Sequence, residues 1–408
     1  MRNWVYRALK AVIIDKTYSN LYLKNHLNEL EKKDRALATR IFYGTLQNYK
    51  YCQWMYRHYI KKSCSKELDV LLSMSVYQLN YLDKVPQYAI VNDAVAIAKK
   101  KNQKQADFVN AVLHKVIHNK ICLPKDEVER LSIETSTDLW LLNMWKSQYG
   151  LEKMEQMAKA STSIMPVYVR RNSLKITEEE LLNYDEIEKL EGMDLYKYNG
   201  NSISSSPLYQ NGCISVQEIG SYAISKFLGP NKEDIVLDCC SAPGTKAFAM
   251  AEMMDNIGRL DCLDIHEHRV RLIEQDEKRL GLSICHAYCM DATNLSELGM
   301  YDKILCDVPC SGYGIFARKP DIKLRLNPSD MDSLIPIQEK IFDEASKHLK
   351  VDGILVYSTC TMNKKENEKQ IEKFLITHSN FRLVEDKTLF PSVDHDGFYM
   401  AKLVRVEK

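Results

Sequence analysis

The sequence predicts a multidomain protein, with an all-α amino-terminal domain, a small α+β connector and a carboxy-terminal α/β domain on a mainly parallel sheet. Apolar residues recur at helical spacing through the first third of the 408 residues, and strand-like and helix-like segments alternate from about residue 221 onwards. A composition of 45% hydrophobic and 27% charged residues is typical of two or three globular domains and excludes a disordered chain.

Residues 1–123 are predicted to form the helical domain. Apolar side chains there follow a three- and four-residue spacing, as in Leu68, Leu71, Leu72 and Val76. No stretch of about 18 uninterrupted apolar residues occurs anywhere, so we expect no membrane span. The amino-terminal stretch is expected to be the first helix of the fold rather than a signal peptide.

The net charge of +1 is unevenly distributed along the chain. Residues 1–123 hold 21 Lys and Arg against 9 Asp and Glu, a difference of +12, so the remaining 285 residues carry −11. A basic module attached to an acidic remainder is typical of a protein that binds a polyanion such as nucleic acid. A lysine-rich helical surface that faces water and binds nothing is the alternative explanation.

Residues 124–220 are predicted to form the α+β connector. Thr177 followed three residues later by Glu180 matches the capping box that begins a helix. Arg170 and Arg171 lie in a segment that alternates like a strand. These arginines either contact nucleic-acid phosphates or belong to an ordinary exposed strand face.

The α/β domain is predicted over residues 221–408. Its strands are expected at 235–239, 259–265, 284–288, 303–307, 354–358 and 397–404. Its helices are expected at 245–254, 270–280, 337–349 and 366–377. A doubly wound sheet of this kind binds its ligands at the carboxyl ends of the strands.

The turn after the first of these strands is rich in small residues and leads directly into a helix. It reads Cys240-Ser241-Ala242-Pro243-Gly244-Thr245-Lys246. Such a turn is where this class of sheet binds a nucleotide-like cofactor, because the first N–H groups of the helix are available to it. Having one glycine, the turn satisfies neither the GxGxxG fingerprint nor the P-loop, and a tight turn without a ligand is the alternative.

Acidic residues end the next two strands. Asp264 could accept hydrogen bonds from the ribose hydroxyls of a cofactor, or it could cap the following helix. Asp291 could contact an adenine, or it could cap a short turn. His266 and His268 have no further ligand cluster nearby, so no metal site is expected.

Two cysteines stand just beyond strand ends, in Asp307-Val308-Pro309-Cys310-Ser311-Gly312 and in Ser358-Thr359-Cys360. If the two strands are neighbours, their thiols converge on the side where ligands bind. Their place in polar loops favours a functional role over structural burial. The chain has twelve cysteines and no CxxC pair, which favours a reducing cytoplasm and argues against a zinc finger.

These motifs resemble the RsmB/Sun-type RNA cytosine-C5 methyltransferases over essentially the whole chain. The 240–246 turn is similar to the family's S-adenosylmethionine loop, and the two cysteine motifs are similar to its two catalytic motifs. Further family landmarks are Lys319-Pro320-Asp321 and Asp396-Gly397-Phe398-Tyr399-Met400-Ala401-Lys402. The first third resembles the NusB-like RNA-binding domain through Asp34-Arg35-Ala36-Leu37-Ala38 and Phe108-Val109-Asn110-Ala111-Val112-Leu113.

The resemblance implies a Rossmann-like methyltransferase domain with a seven-stranded sheet, preceded by a NusB-like helical domain and an RNA-positioning connector. It implies that a methyl group passes from S-adenosylmethionine to C5 of one cytidine in small-subunit (16S) rRNA. The expected partner is that rRNA, with neither membrane nor metal, and a cytoplasmic monomer is expected.

The resemblance also implies roles for individual residues. Cys360 would add to C6 of the base as the nucleophile, and Cys310 would be needed for release of the product. Asp307 would contact ring N3, and Lys246 would lower a thiolate pKa or bind phosphate, unless it is an ordinary exposed helix lysine. The sequence itself does not say which thiol has which role.

The remaining implied contacts concern the cofactor and the RNA. The cofactor would be bound by residues 240–246 with Asp264, Asp291 and Asp307. The RNA would contact Arg170, Arg171 and Lys319. The family more often has glycine at the position of Thr245 and alanine at the position of Ser241, which bears on cofactor affinity.

Three other functions remain open at this point. A tRNA cytosine-C5 methyltransferase would use the same chemistry, although the NusB-like domain argues against it. A non-catalytic RNA-binding or antitermination factor would have no use for both Cys310 and Cys360. A small-molecule or protein methyltransferase is disfavoured by the +12 charge of residues 1–123.

Overall fold

The structure, a computed structural model, describes residues 1–406 as two compact units. The first unit comprises Met1–Ser163 together with Phe316–Leu326, and the second comprises Ile164–Ile315 and the chain from Asn327 onwards. This division differs from the predicted borders, because residues 124–163 are helical and belong with the first unit. In residues 1–406, no helix has the length and apolar character that crossing a bilayer requires.

The first unit is helical, as predicted. Its α-helices are α1 (Arg2–Ile13), α2 (Ser19–His26), α3 (Lys32–Gln47), α4 (Tyr49–Arg57), α5 (Lys66–Tyr81), α6 (Gln87–Lys99), α7 (Gln103–His118), α8 (Glu127–Glu134), α9 (Leu139–Tyr149) and α10 (Leu151–Ala160). Several begin at a side chain that accepts a hydrogen bond from the third backbone N–H of the helix, namely at Ser65, Asn102 and Asp126. Leu9, Phe42 and other buried apolar side chains of α1 to α7 form its core.

Residues 316–326 complete the first unit although they are encoded far from its other residues. They contain a 3₁₀ helix, Pro320–Leu324, in which Asp321 and Lys323 are buried. The Ser19 hydroxyl donates to Asp321 Oδ1 at 2.5 Å, and Lys323 Nζ donates to the Thr135 carbonyl at 2.7 Å. Burial lowers the pKa of Lys323 to about 7.

The second unit begins with a small antiparallel sheet. Its elements are β1 (Tyr168–Arg171), α11 (Glu178–Leu182), β2 (Ile187–Lys189), β3 (Leu195–Tyr198), α12 (Pro207–Gln210) and β4 (Ile214–Val216). The strand order is β2-β3-β1-β4. The capping box predicted at Thr177 and Glu180 is confirmed, with both of its hydrogen bonds present.

A seven-stranded sheet forms the centre of the second unit, as predicted. Its elements are α13 (Ile219–Leu228), β5 (Ile235–Asp238), α14 (Thr245–Met253), β6 (Arg259–Asp264), α15 (Glu267–Leu280), β7 (Cys285–Cys289), β8 (Tyr301–Asp307), α16 (Asp330–Lys347), β9 (Leu349–Thr359), α17 (Glu368–Thr377), β10 (Phe381–Leu389) and β11 (Phe398–Arg405). The strand order is β10-β11-β9-β8-β5-β6-β7, and β11 runs antiparallel to both of its neighbours.

Several elements of the second unit depart from the sequence prediction: α13 is not predicted, β9 begins five residues earlier than predicted, and β10 and α16 also differ. The sequence predicts no strand at β10, because this edge strand is half exposed and lacks an apolar run. Helix α16 begins at Asp330, seven residues before the predicted start, with Pro336 inside it. Its first turn carries Asp330 and Asp332, which suit a helix amino terminus but interrupt the apolar pattern on which the prediction rests.

A buried ion pair joins the small sheet to helix α14 within the second unit. Arg170 on β1 donates from Nε and Nη2 to the carboxylate of Glu252 on α14, at 2.7 and 2.9 Å. The same guanidinium also donates to Gln217 and to the Thr245 carbonyl. The two charged side chains are 4% and 5% exposed, so each depends on the other for compensation of its charge.

Replacing Glu252 with alanine should therefore destabilise the second unit strongly. A buried Arg170 without its partner is expected to cost about 3–5 kcal/mol of unfolding free energy. Hydrogen-exchange mass spectrometry of β5 and α14 in increasing urea would measure the loss. Glu267→Ala, which breaks the exposed pair with Arg271, should have a far smaller effect, because water screens that pair. Equal losses in the two variants would contradict the prediction.

Candidate active site

The two strand-end cysteines meet at one edge of the large sheet. Strands β8 and β9 are parallel neighbours, and the Cα of Asp307 pairs with that of Ser358. Cys310 and Cys360 follow these strand ends closely, and their Sγ atoms lie 3.3 Å apart. The prediction that neighbouring strands bring the two thiols together is confirmed.

An ion pair lies at the same strand end. Asp307 Oδ2 accepts a hydrogen bond from Lys246 Nζ at 2.7 Å, and Oδ1 accepts one from the Ser358 hydroxyl at 2.8 Å. The Lys246 side chain is 13% exposed, so it is not the ordinary exposed helix lysine of the alternative explanation. Burial opposes its charge, but the Asp307 carboxylate outweighs burial and raises the pKa of Lys246, which remains a cation.

The Cys310 thiol retains its proton more strongly than an ordinary cysteine. Its hydrogen bond with Cys360 and its burial raise its pKa, and the carboxylates of Glu366 and Asp307 raise it further. Cys310 therefore keeps its thiol proton at neutral pH. Its sulfur lies within hydrogen-bond distance of Cys360 Sγ, and either thiol can be the donor.

The small-residue turn lies where β5 ends and α14 begins. Gly244 has a φ of +99°, and a Cβ there would lie 2.4 Å from the Phe248 ring, so glycine is required. The Ser241 N–H donates to the Leu263 carbonyl at 2.7 Å, which fixes the turn against β6. Within the turn, Ser241, Ala242 and Gly244 are buried. Cys240, Thr245 and Lys246 are half-buried, and Pro243 is exposed.

A buried carboxylate with only weak donor contacts ends β5, next to this turn. Asp238 is 1% exposed, and although Ser241 and the Cys240 backbone lie close enough to lower its pKa, neither makes a well-formed hydrogen bond with its side-chain oxygens. Burial, and then the charge of Asp307, raise its pKa to about 7. An unpaired buried carboxylate suits a cationic ligand, because such a ligand compensates its charge.

Asp264 is buried and connected to the small-residue turn. Its Oδ1 accepts the His266 N–H at 3.0 Å, and its Oδ2 forms an ion pair with Arg269 at 2.8 Å. Arg269 also donates to the Ala242 carbonyl at 2.6 Å. The predicted ribose position and the predicted cofactor turn are thus joined through one guanidinium.

Asp291 lies beyond the end of β7, at the same edge of the sheet. Strand β7 pairs in parallel with β6, and Cys289 is level with Asp264. The exposed Asp291 carboxylate accepts the Thr293 N–H at 2.9 Å, which is the turn contact named as its alternative role. Its second oxygen is not used in that contact.

The three predicted RNA contacts have different environments. Arg170 is 3% exposed and engaged by Glu252, so its burial argues against the predicted phosphate contact. Arg171 is half-buried and donates to the Ile176 carbonyl at 2.8 Å. Lys319 is exposed, and it lies in the part of the first unit formed by residues 316–326.

Three charged residues of this region are not among the predicted site residues, namely Asp238, Arg269 and Glu366. Asp238 could have been found, because it ends the first strand of the sheet as Asp264 ends the second. Glu366 is buried and contacts the residue after Cys310. Within residues 1–406, no group of three or more His, Cys, Asp or Glu side chains is arranged to bind a metal ion.

Family models match both parts of the chain. The model described as 16S rRNA methyltransferase RsmB/F matches residues 225–404. The model of the NusB family matches residues 1–118. The two matches agree with the resemblance noted in the sequence.

Individual proteins are similar over nearly the whole chain. A Bacillus subtilis protein named probable ribosomal RNA small subunit methyltransferase B is 38% identical, and the alignment covers 92% of this chain and 88% of that protein. The solved structure of PH0851 shares the fold, with a TM-score of 0.84, 23% identity and 98% of each chain covered. A methyltransferase homologue from Pyrococcus horikoshii has a TM-score of 0.62 at 24% identity, covering 69% of this chain and 100% of its own. The chain belongs to the RsmB/F family of 16S rRNA methyltransferases, with a NusB-type helical domain at its amino-terminal end.

Proposed function

We propose that this protein transfers a methyl group from S-adenosylmethionine to C5 of a cytidine in 16S rRNA, through a temporary bond between Cys360 and C6 of the base. The observation that carries the proposal is the pair of thiols 3.3 Å apart, beside the ion pair of Asp307 and Lys246. Methylation of a carbon with poor nucleophilicity requires such covalent assistance. Family membership supports the choice of small-subunit rRNA as the substrate.

S-adenosylmethionine would be bound by residues 240–246 with Asp264, Asp291 and Asp307. The unpaired Asp238 carboxylate supports this assignment, because the cofactor carries an ammonium group and a sulfonium. Asp264 is buried beside the turn and suits the ribose hydroxyls. When bound, S-adenosylmethionine supplies an electrophilic methyl group.

Cys360 is the proposed nucleophile. Cys310 retains its proton and lies 3.3 Å from Cys360 Sγ, so in this mechanism it would donate the hydrogen bond that stabilises a thiolate at Cys360. Burial lowers the pKa of Lys246, but Asp307 and, to a smaller extent, Asp238 and Cys360 raise it, so Lys246 and Cys360 attract each other. This attraction in turn favours the charged form of the Cys360 sulfur.

Addition places a new bond between Cys360 Sγ and C6 of the cytosine ring. The electron pair of the former C5–C6 double bond then makes C5 the nucleophilic carbon, with charge shared by ring N3. The ion pair of Asp307 and Lys246 would hold a proton at N3 and stabilise this charge. Because the base must reach a strand end, it has to be unpaired or flipped out of a helix.

Release returns the enzyme to its starting state. The proton on C5 passes to a base, and the electron pair of that C–H bond restores the C5–C6 double bond. The bond between C6 and Cys360 Sγ breaks, its electron pair leaves with the sulfur as a thiolate, and the proton held at N3 returns to the ion pair of Asp307 and Lys246. Cys310 lies in hydrogen-bond contact with this sulfur, which supports its role in supplying or orienting the base.

Methyl transfer to protein-free 16S rRNA is the direct test of this function. Labelled S-adenosylmethionine should transfer its methyl group to one cytidine, which bisulfite treatment would then locate. Matched reactions would use tRNA and assembled small subunits or their precursors. The control enzyme carries Cys360→Ala and should transfer no label.

The other outcomes separate the alternative functions. Transfer to tRNA alone would retain the chemistry and overturn the substrate. Transfer to assembled particles alone would support 16S rRNA as the substrate and show that the enzyme acts on it only after ribosomal proteins have bound. No transfer to any RNA, combined with no binding of S-adenosylmethionine, would support a non-catalytic RNA-binding protein.

The two cysteines should differ in the adducts that they leave on RNA. Cys310→Ala should accumulate a covalent complex with substrate RNA, because addition at C6 proceeds while release is blocked. Cys360→Ala should form no complex, and Cys289→Ala, which removes an exposed thiol on β7, should behave as the wild type. Denaturing gel electrophoresis with labelled RNA measures the complex. A complex that depends on Cys310 instead would reverse the assigned roles.

The basic helical domain should bind RNA through its phosphates. Replacing the exposed Lys99, Lys100 and Lys104 with glutamine should weaken binding. The slope of log affinity against log salt should fall by about 0.7 for each single-strand phosphate that the variant no longer neutralises. Filter binding across a salt series measures both quantities.

The matched control removes the same charge from the methyltransferase unit, at the exposed lysines Lys347, Lys369 and Lys373. Its affinity and salt dependence should remain close to those of the wild type. Equal effects of the two triple variants would show that overall charge, and not the helical domain, determines binding.

A further inference from the structure

A buried carboxylate that the proposed reaction does not use lies behind the two cysteine loops. Glu366 is between β9 and α17, and it is fully buried. Backbone and side-chain groups without charge donate hydrogen bonds to it. Such a group is retained only where several hydrogen bonds compensate its desolvation.

Four donors satisfy this carboxylate. Its Oε2 accepts the Ser311 backbone N–H at 2.9 Å and the Gln338 amide at 3.0 Å. Its Oε1 accepts the Ser311 hydroxyl at 2.5 Å and the Asn363 amide at 3.0 Å. Ser311, the residue that follows Cys310, is therefore bound to both oxygens of Glu366.

The same contacts reach the second cysteine loop. The Ser311 hydroxyl is 2.6 Å from the hydroxyl of Thr361, the residue that follows Cys360. The Gln338 amide also donates to the carbonyl of Pro309, the residue that precedes Cys310. We call Ser311, Thr361 and Glu366 the clasp, because their hydrogen bonds connect the two cysteine loops.

We propose that Glu366 is the positioning residue that sets the separation of the Cys310 and Cys360 thiols. It fixes the Cys310 loop through Ser311 and, through the Ser311–Thr361 contact, aligns that loop with the Cys360 loop. The importance of this separation for catalysis rests on the proposed function. Glu366 acts on the thiols through the residues beside them.

The effect of a Glu366 variant on the separation of the thiols should depend on the length of the side chain rather than on its charge. Glu366→Asp keeps the carboxylate but shortens it by one methylene, so it cannot contact Ser311 and Asn363 together. Glu366→Gln keeps the reach, and its oxygen can still accept the Ser311 N–H. The same oxygen can still accept the Gln338 amide, while the Ser311 hydroxyl and the Asn363 amide can reorient toward the new NH₂ group.

The separation of the thiols can be measured without RNA or cofactor, by the rate at which mild oxidation joins them. Diamide removes two electrons and two protons from the thiol pair as the Cys310–Cys360 disulfide forms, and peptide mass spectrometry quantifies the product. Glu366→Asp should slow this reaction by about tenfold, as expected when buried hydrogen bonds are broken. Glu366→Gln should stay close to the wild-type rate.

Two controls distinguish a positioning role of Glu366 from a general destabilisation of the fold. Asp261→Asn alters another buried carboxylate of the same sheet, which binds Tyr301 and Arg259, and should leave the Cys310–Cys360 rate unchanged. The buried pair of Cys239 and Cys306, with sulfurs 3.8 Å apart, should stay unreactive in every variant. Should Glu366→Asp fail to fold, Thr361→Val breaks the clasp from its other end and should slow the same disulfide.

The outcomes are distinct. A wild-type disulfide rate in both Glu366→Asp and Thr361→Val, or equal slowing in Asp261→Asn, would overturn the proposal. Equal slowing in Glu366→Gln and Glu366→Asp would show that the charge of the side chain, and not its length, controls the separation of the thiols, and would also overturn the proposal.

In the methylation assay, Glu366→Asp should lower kcat by about a hundredfold with little change in KM, as for a displaced reacting group. A wild-type enzyme inactive on every RNA, with the disulfide result intact, would refute the proposed function alone.

Discussion

The parallel register between β8 and β9 is the constraint on which the rest of the site depends. Because Asp307 and Ser358 are level, the loops that follow them start from the same edge of the sheet. Two cysteines 50 residues apart then meet with their sulfurs 3.3 Å apart. A shift of either strand by one residue would turn alternate side chains to the opposite face and separate the thiols.

The charges at this edge form one coupled group. Asp238 and Asp307 lie beside the cation Lys246, which pairs directly with Asp307, whereas Asp238 has only weak contacts with Ser241 and the Cys240 backbone. Burial is the larger cause of the raised pKa of Asp238, and the charge of Asp307 is the second. A cationic ligand beside Asp238, such as a sulfonium with an ammonium group, would lower this pKa and stabilise the ionised carboxylate.

Sequence patterns predicted the helical domain, the large sheet and the meeting of Cys310 with Cys360, because strand ends follow directly from apolar runs. They did not reveal β10, whose half-exposed residues lack such a run, or the full length of α16. The partners of charged side chains could not be predicted from the sequence either, because they are determined by tertiary contacts. Arg170 therefore looked like a surface residue, whereas Glu252 holds it in a buried ion pair, and the contacts of Glu366 gave no local signal.

The first unit consists of two separate segments of the chain, and this affects the order in which it can fold during synthesis. Ribosomes release the chain from the amino terminus, and domains generally fold as they emerge. Helices α1 to α10 leave the ribosome long before residues 316–326, which provide Asp321 for Ser19 and Lys323 for Thr135. In the nascent helical domain, Ser19 and the Thr135 carbonyl therefore lack these partners until most strands of the large sheet have been translated.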